Sequence, residues 1–294
     1  MLDTVARVVH RHVDVDDVRV FYRASVPDRD DAPTLLLLHG FPTASYQFRR
    51  LIDVLGDRYR LIAPDYPGFG YTESPESFVY SFDRLADVTE RFIEQLGLTR
   101  FAMYMFDFGA PVGFRIATRH PDWIAGLVIQ NGNAYDEGLT DGARTFIGLR
   151  PEMDGAEEQV RELLTSAGAR GQYEAGVGNR EMLAPGGWTL DQHFLDQPGR
   201  AEAQIALAFD YHSNLALYPA WQSWLRDQAP PTLIVWGGRD PFFSVAGAHA
   251  YLQDVPDAEL HVFPTGHFAL EEHLPEVAPV VAGFLDRLRR GQLR

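Results

Sequence analysis

Residues 101–113 read FAMYMFDFGAPVG, an apolar run that meets an aspartate and then a segment rich in small residues. A continuous apolar run such as Phe101–Phe106 is typical of a parallel strand whose two faces are both covered. The small residues that follow permit a sharp turn and close packing of a helix, which we predict over Gly113–Arg119. Asp107 therefore lies on a strand-to-helix turn, either as a nucleophile above the positive end of the helix or as an ordinary N-cap.

Similar apolar runs recur along the chain and alternate with amphipathic segments. The segments predicted as buried strands are Leu35–Leu38, Leu61–Ala63, Leu127–Ile129 and Leu233–Trp236, and Glu259–Phe263 is predicted as the last strand. Those predicted as helices are Phe48–Leu55, Phe82–Leu96, Ala246–Leu252 and Val277–Leu288. Before them, alternating apolar and polar residues in Val5–Val13 and Val18–Tyr22 predict an antiparallel hairpin. This order predicts an α/β fold with an open, doubly wound, mostly parallel sheet.

One long interval, residues 135–227, breaks this alternation. It contains helix-like segments at Glu157–Leu164 and Ala201–Leu207, many aromatic residues, and two loops predicted at Pro185-Gly186-Gly187 and Gln197-Pro198-Gly199. We predict a helical cap over the carboxyl edge of the sheet, where open α/β sheets bind ligands. The core domain would then comprise residues 1–134 and 228–294. The alternative is a separate domain whose aromatic residues serve only its own core.

The composition excludes several classes of chemistry. The chain of 294 residues has no cysteine, and all 26 of its basic residues are arginine. Thiolate nucleophiles, cysteine-bound metals and lysine Schiff bases are therefore excluded. The net charge of −15 opposes binding to nucleic acid or anionic membranes. We find neither a signal peptide nor an apolar segment of membrane-spanning length, and His10 and His12 lack further metal ligands, so we expect a cytoplasmic protein without a metal.

Three predicted strands end in residues with catalytic potential. Asp107 follows the first of them, Asp240 follows Leu233–Trp236, and His267 follows Glu259–Phe263. The carboxyl ends of parallel strands meet at one edge of the sheet, so these side chains are expected to lie together. Their chain order is nucleophile, acid, histidine, which is the order of α/β-hydrolases.

With these motifs, the sequence resembles the α/β-hydrolases that use an aspartate nucleophile, the branch that contains epoxide hydrolases and haloalkane dehalogenases. The resemblance covers essentially the whole chain, including the segment DYPGFG at residues 65–70, and no Gly-x-Ser-x-Gly motif occurs. It implies that Asp107 forms an ester with a saturated carbon of a small apolar substrate. His267, oriented by Asp240, then activates water, and the backbone N–H groups of Phe41 and Phe108 bind the oxyanion. No cofactor is implied.

The leaving group separates the two activities of this branch. The resemblance implies cap tyrosines for an epoxide oxygen, and a tryptophan with an asparagine or a second tryptophan for a halide. Phe41 and Phe108 cannot donate side-chain hydrogen bonds. Tyr211 matches the late cap tyrosine of epoxide hydrolases, and Tyr173 is the candidate for its partner.

We therefore predict an epoxide hydrolase that forms a vicinal diol. The first alternative is a haloalkane dehalogenase that uses Trp188, Trp221 or Trp224 for the halide. Another is a member of the fold that binds a ligand without hydrolysis or performs cofactor-free oxygen chemistry. The intact set of Asp107, Asp240 and His267 disfavours a pure binding protein.

Overall fold

An eight-stranded sheet forms the centre of the computed structural model, which describes residues 6–29 and 31–293. The strands are β1 (Val8–Val15), β2 (Val18–Ser25), β3 (Thr34–Leu38), β4 (Arg60–Pro64), β5 (Phe101–Phe106), β6 (Ile124–Gln130), β7 (Thr232–Gly237) and β8 (Glu259–Phe263). Their order in the sheet is β1-β2-β4-β3-β5-β6-β7-β8. β1 pairs antiparallel with β2, and β2 with β4, while the other neighbours are parallel. This confirms the predicted mostly parallel α/β sheet.

Helices accompany the sheet along the described residues. They are α1 (Arg49–Leu55), α2 (Phe82–Gln95), α3 (Gly109–Arg119), α4 (Asp141–Ile147), α5 (Ala156–Leu163), α6 (Ser166–Glu174), α7 (Gly186–Leu195), α8 (Arg200–Asp210), α9 (His212–Gln228), α10 (Val245–Asp254), α11 (Ala269–Glu272) and α12 (Leu274–Arg289). In residues 6–29 and 31–293, none of them has both the length and the apolar character needed to cross a membrane.

Both faces of the central strands are buried, which explains their continuous apolar runs. Successive side chains of a strand point to opposite faces. In β3, Leu36 and Leu38 pack in the cluster that contains residues of α2, α3 and α10. Leu35 and Leu37 pack in the other cluster, with residues of α1 and α12. The apolar runs therefore identify the strands that helices cover on both sides.

The opening hairpin differs from the prediction in its bounds. β1 extends to Val15, so that the turn is confined to Asp16 and Asp17, and β2 continues to Ser25. Val5, with which the predicted first strand begins, lies outside the described residues. The positive φ of Asp16, 52°, allows the tight reversal between the two strands.

Six helices, α4 to α9, lie between β6 and β7. The predicted helices at Glu157–Leu164 and Ala201–Leu207 correspond to α5 and α8. The loop predicted at Pro185-Gly186-Gly187 is wrong, because Pro185 is the N-cap of α7 and both glycines are helical. A proline is tolerated there since the first N–H groups of a helix lack intrahelical acceptors. The division into a core and a cap at residues 135 and 227 stays a prediction.

Candidate active site

Asp107 lies on the tight turn between β5 and α3. Its φ is +49°, a conformation that aspartate and asparagine adopt more readily than most residues. Glycines allow the close packing around it: a Cβ at Gly40 would lie 2.3 Å from the Asp107 Cβ, and one at Gly109 would lie 2.2 Å from a backbone oxygen. Helix α3 begins at Gly109, four residues earlier than predicted, so the turn is sharper than the sequence indicated.

The structure brings Asp107, Asp240 and His267 together. Nδ1 of His267 lies 2.6 Å from Oδ2 of Asp240, and its Nε2 lies 3.6 Å from Oδ2 of Asp107. All three residues are buried, with 8% or less of their surface exposed. The imidazole therefore connects the two carboxylates, with Asp240 fixing Nδ1 and leaving Nε2 beside Asp107.

Asn131 supports Asp240, a role that our reading of the sequence missed. Its Nδ2 donates to Oδ2 of Asp240 at 2.7 Å, and its Oδ1 accepts the N–H of Gly237 at 2.8 Å. The N–H of Phe242 donates to Oδ1 of Asp240 at 2.8 Å. Asn131 adopts a positive φ of 42° directly after β6. The signal in the sequence is a polar residue at the end of a buried strand.

The predicted oxyanion site lies on the opposite side of the Asp107 carboxylate from the contact with His267. The N–H of Phe41 donates to Oδ1 of Asp107 at 2.7 Å. Phe108 is the N-cap residue of α3, so its N–H belongs to the end of the helix where N–H groups lack intrahelical acceptors. One carboxylate oxygen is thus held by a backbone donor, and the other lies near the imidazole.

His39 holds the loop that carries Phe41. Its Nε2 accepts the N–H of Tyr66 at 3.2 Å, so the ring proton is on Nδ1, which donates to the Gly40 carbonyl at 3.0 Å. Burial lowers the pKa of His39 to about 4, and the ring is neutral at physiological pH. These contacts give His39 a structural role in the loop.

The protonation of His267 depends on both neighbouring carboxylates. Burial acts to lower its pKa, but the charges of Asp240 and Asp107 and their hydrogen bonds outweigh burial and raise the pKa. Loss of the Asp107 charge would remove part of this increase. The ionised Asp107 carboxylate therefore favours the protonated imidazole, and neutralising Asp107 lowers the pKa of His267, so that more of the imidazole is neutral and able to accept a proton.

We expect the pKa of His267 to be lower in an Asp107→Asn variant than in the unmodified protein. NMR titration of histidine ring signals measures this shift, with His267→Gln identifying the signal. A pKa raised above its unfolded value of about 6.5 stabilises the fold below that value, and the stabilisation is lost as the pH rises through the folded pKa. The unmodified protein should therefore lose more stability than the variant at alkaline pH. Equal pKa values in the two proteins would contradict this coupling.

A cavity of about 450 Å³ lies above Asp107 and His267. Much of its wall is apolar, and it includes Phe41, Phe108, Phe146, Val160, Phe242 and Phe243. The buried polar side chains that line it from the segment between β6 and β7 are Gln172, Gln204 and Tyr211. Among the described residues there is no group of three or more His, Asp or Glu side chains that could hold a metal ion.

Of the cap residues named from the sequence, Tyr211 reaches the cavity. Its ring centroid lies 5.7 Å from that of Phe108, the residue that follows Asp107. Burial raises the pKa of Tyr211 well above its ordinary value, and the charge of Asp107 also contributes. Tyr211 is therefore a neutral phenol in the cavity, with a proton to donate.

Tyr173 and Trp188 are not among the described residues that line the cavity. The hydroxyl of Tyr173 donates to Oδ2 of Asp191 at 2.5 Å, and its ring stacks on Phe268 at 4.1 Å. The ring of Trp188 makes an edge contact with that of Tyr173 at 5.7 Å, and Arg170 lies over the indole ring. Neither residue therefore lies where the sequence placed it, and Tyr173 is occupied by its contacts with Asp191 and Phe268.

The two other tryptophans proposed for a halide also lie elsewhere. Trp221 is 1% exposed and stacks on Phe114 of α3, and Trp224 contacts the same ring. Neither is among the described residues of the cavity wall. Both tryptophans pack α9 against the core of the protein.

Comparison with known proteins agrees with this geometry. A family model described as alpha/beta hydrolase fold matches residues 33–274. The chain is 43% identical over 285 residues to the uncharacterized hydrolase YNR064C of Saccharomyces cerevisiae, covering 95% of this chain and 97% of that protein. It is 40% identical over 266 residues to haloalkane dehalogenase 2 of Mycobacterium tuberculosis, covering 88% and 89%. It is 27% identical over 285 residues to epoxide hydrolase 2 of Caenorhabditis elegans, covering 92% and 78%. With Asp107 at the turn after β5, the chain belongs to the α/β-hydrolase superfamily, in its aspartate-nucleophile branch.

Proposed function

We propose that this hydrolase opens epoxides through an ester of Asp107 and releases vicinal diols. The observation that carries the proposal is the position of Asp107 on the floor of an apolar cavity, with His267 on one side of its carboxylate and the Phe41 N–H on the other. A carboxylate that attacks a saturated carbon forms an ordinary ester, which water can hydrolyse.

In the first step, Oδ2 of Asp107 attacks an epoxide carbon, and the bond from that carbon to the ring oxygen breaks. Oδ1 accepts from the Phe41 N–H at 2.7 Å, which leaves Oδ2 as the oxygen for attack. The departing oxygen takes the proton of the Tyr211 hydroxyl. An alkoxide is far more basic than a phenolate, so this transfer is favourable even with the raised pKa of Tyr211.

In the second step, neutral His267 removes a proton from water through Nε2, and the hydroxide attacks the carbonyl carbon of the Asp107 ester. Negative charge develops on Oδ1, where the Phe41 N–H already points. Collapse of this intermediate breaks the bond between the carbonyl carbon of Asp107 and Oδ2, which leaves on the substrate carbon as the second oxygen of the diol and takes the proton of the His267 imidazolium. The proton of the new Asp107 carboxyl returns to the Tyr211 phenolate, which restores the enzyme. Asp240 stabilises the imidazolium through Nδ1, at 2.6 Å.

The cavity supports a small, uncharged, mainly apolar substrate. Among the described residues, the charged carboxylates that line the cavity are Asp107 and the exposed Glu162, and no arginine lines it. An anionic substrate would meet like charge without a compensating ion pair. Hydrophobic wall residues favour alkyl or aryl groups instead.

Halide release is the second candidate function, supported by the 40% identity to haloalkane dehalogenase 2. Against it stand the phenylalanines at positions 41 and 108 and the location of three cap-region tryptophans away from the described cavity wall. A phenol suits a departing oxygen, because it can transfer a full proton. A halide needs no proton.

We expect styrene oxide to yield a diol, and a Tyr211→Phe variant to form the Asp107 ester about 10²–10⁴-fold more slowly, the usual contribution of a general acid. Rapid-quench measurement of ester formation tests this. Because 1-bromobutane needs no protonation, any reaction with it should change little in the variant.

Tyr173→Phe is the matched control, since it removes a cap hydroxyl that bonds to Asp191 outside the cavity. Its rate of ester formation should equal that of the unmodified protein. Bromide release without diol formation from any epoxide would overturn the epoxide assignment and favour the dehalogenase.

A further inference from the structure

The side chain of Gln172 is a buried amide on the cavity wall that makes no hydrogen bond within the described part of the chain. The residue is 5% exposed, and its Nε2 is buried without an acceptor. A buried polar group left unpaired costs free energy, so such groups are rare in folded proteins. At a binding site, a ligand can supply the missing partner.

The position of Gln172 is fixed relative to the loop that carries His267. Gln172 precedes Tyr173 on α6, and the Tyr173 ring stacks on Phe268, the residue that follows His267. At the end of α6, the carbonyl oxygen of Ala175 packs closely on Gly266. A Cβ at Gly266 would lie 1.9 Å from that oxygen. The backbone that carries Gln172 is therefore held against both neighbours of the proposed base.

Gln204, the other buried cap glutamine on the cavity wall, has a different role. Its Nε2 donates to the Gly68 carbonyl at 2.9 Å, and its unpartnered atom is the acceptor Oε1. A departing oxygen needs a donor. No hydrogen bond restrains the Gln172 amide, so its NH₂ group can turn toward such an oxygen.

We propose that Gln172 is the second hydrogen-bond donor to the departing epoxide oxygen, acting beside Tyr211. This inference rests on the proposed function. The bond from carbon to oxygen breaks as Oδ2 of Asp107 attacks, Tyr211 transfers its proton to the oxygen, and Gln172 donates a hydrogen bond without losing a proton. Gln172 thus has the role that the sequence analysis gave to its neighbour Tyr173, as the partner of Tyr211 at the departing oxygen.

The test is a single-turnover measurement with styrene oxide. In a Gln172→Leu variant we expect ester formation to slow by about 10- to 100-fold, the usual range for one donor to a developing negative charge. Hydrolysis of the ester, once formed, should keep its rate, because that step does not involve the departing oxygen. The thermal unfolding midpoint should not fall, because the substitution removes an unpaired buried amide.

Gln47→Leu is the matched control. Gln47 is also buried, at 3% exposure, and both polar atoms of its amide lack partners, but it does not line the cavity. The Gln47→Leu variant should form the ester at the same rate as the unmodified protein.

A Gln172→Glu variant separates donation from packing. It keeps the size of the side chain but can donate only when protonated, so its ester formation, relative to the unmodified protein, should fall as the pH rises through the pKa of the new carboxyl. A constant ratio across pH, or an unchanged rate in Gln172→Leu, overturns the role of Gln172 while leaving the epoxide hydrolase intact. If the unmodified protein forms neither diol nor ester from epoxides, the proposed function fails, and the role of Gln172 fails with it.

Discussion

An Asp107→Asn variant is expected to lose turnover by a factor of about 10⁴ or more, as is typical when the nucleophile of a catalytic triad is removed. An amide oxygen is a poor nucleophile, and no other described carboxylate shares the cavity floor with His267. Asparagine suits the test because it tolerates the positive φ of this position and preserves the acceptor for the Phe41 N–H. Alanine would add backbone strain to the loss of the carboxylate.

The measurement is the rate of diol formation from styrene oxide, with circular dichroism to show that the variant is folded. Asp16→Asn is the matched control, since Asp16 also has a positive φ, 52°, but lies on the turn of the opening hairpin. It should retain full activity.

Oxygen-18 water gives an independent test of the ester. Hydrolysis at the carbonyl carbon places one oxygen of water in the Asp107 carboxylate at each turnover, so repeated cycles should label this residue. Mass spectrometry of the peptide that contains it detects the label. Turnover without label would show that water attacks the substrate directly, and activity retained in Asp107→Asn would exclude this residue as the nucleophile.

The sequence could predict those parts of the fold that follow from local pattern. The apolar run placed β5 at its observed bounds, because strands covered on both faces are apolar throughout. Asp107 and His267 could be found because each follows a predicted parallel strand at the edge of the sheet where ligands bind.

The segment between β6 and β7 was less predictable, because its helices are stabilised by contacts that no local period reveals. Helix α9 contains Pro219, which local pattern treats as a helix breaker. Trp221 stacks on Phe114 of α3 and Trp224 meets the same ring edge-on, and this tertiary packing offsets the weak local preference. The pairing of Tyr173 with Asp191 and that of Asn131 with Asp240 likewise join residues far apart in the chain.

We expect a His267→Gln variant to accumulate the ester, because it removes the base of the second step and leaves the nucleophile of the first. General-base catalysis contributes about 10²–10⁴-fold, and hydrolysis of the ester should slow by that factor. Intact-protein mass spectrometry after mixing with styrene oxide should show one added substrate mass, and peptide mapping should place it on Asp107.

His261→Gln is the control for this substitution, since His261 lies on β8 with a side chain that is 40% exposed. It should turn over without accumulating an adduct. The mechanism predicts opposite results for the two variants. Asp107→Asn should form no adduct, and His267→Gln should form one that persists. A His267→Gln variant that turns over at the normal rate, or that never forms an adduct with a substrate of the unmodified protein, would contradict the role of His267 as the base. Because esterification removes the Asp107 charge that raises the pKa of His267, the first step itself prepares the imidazole to accept a proton in the second.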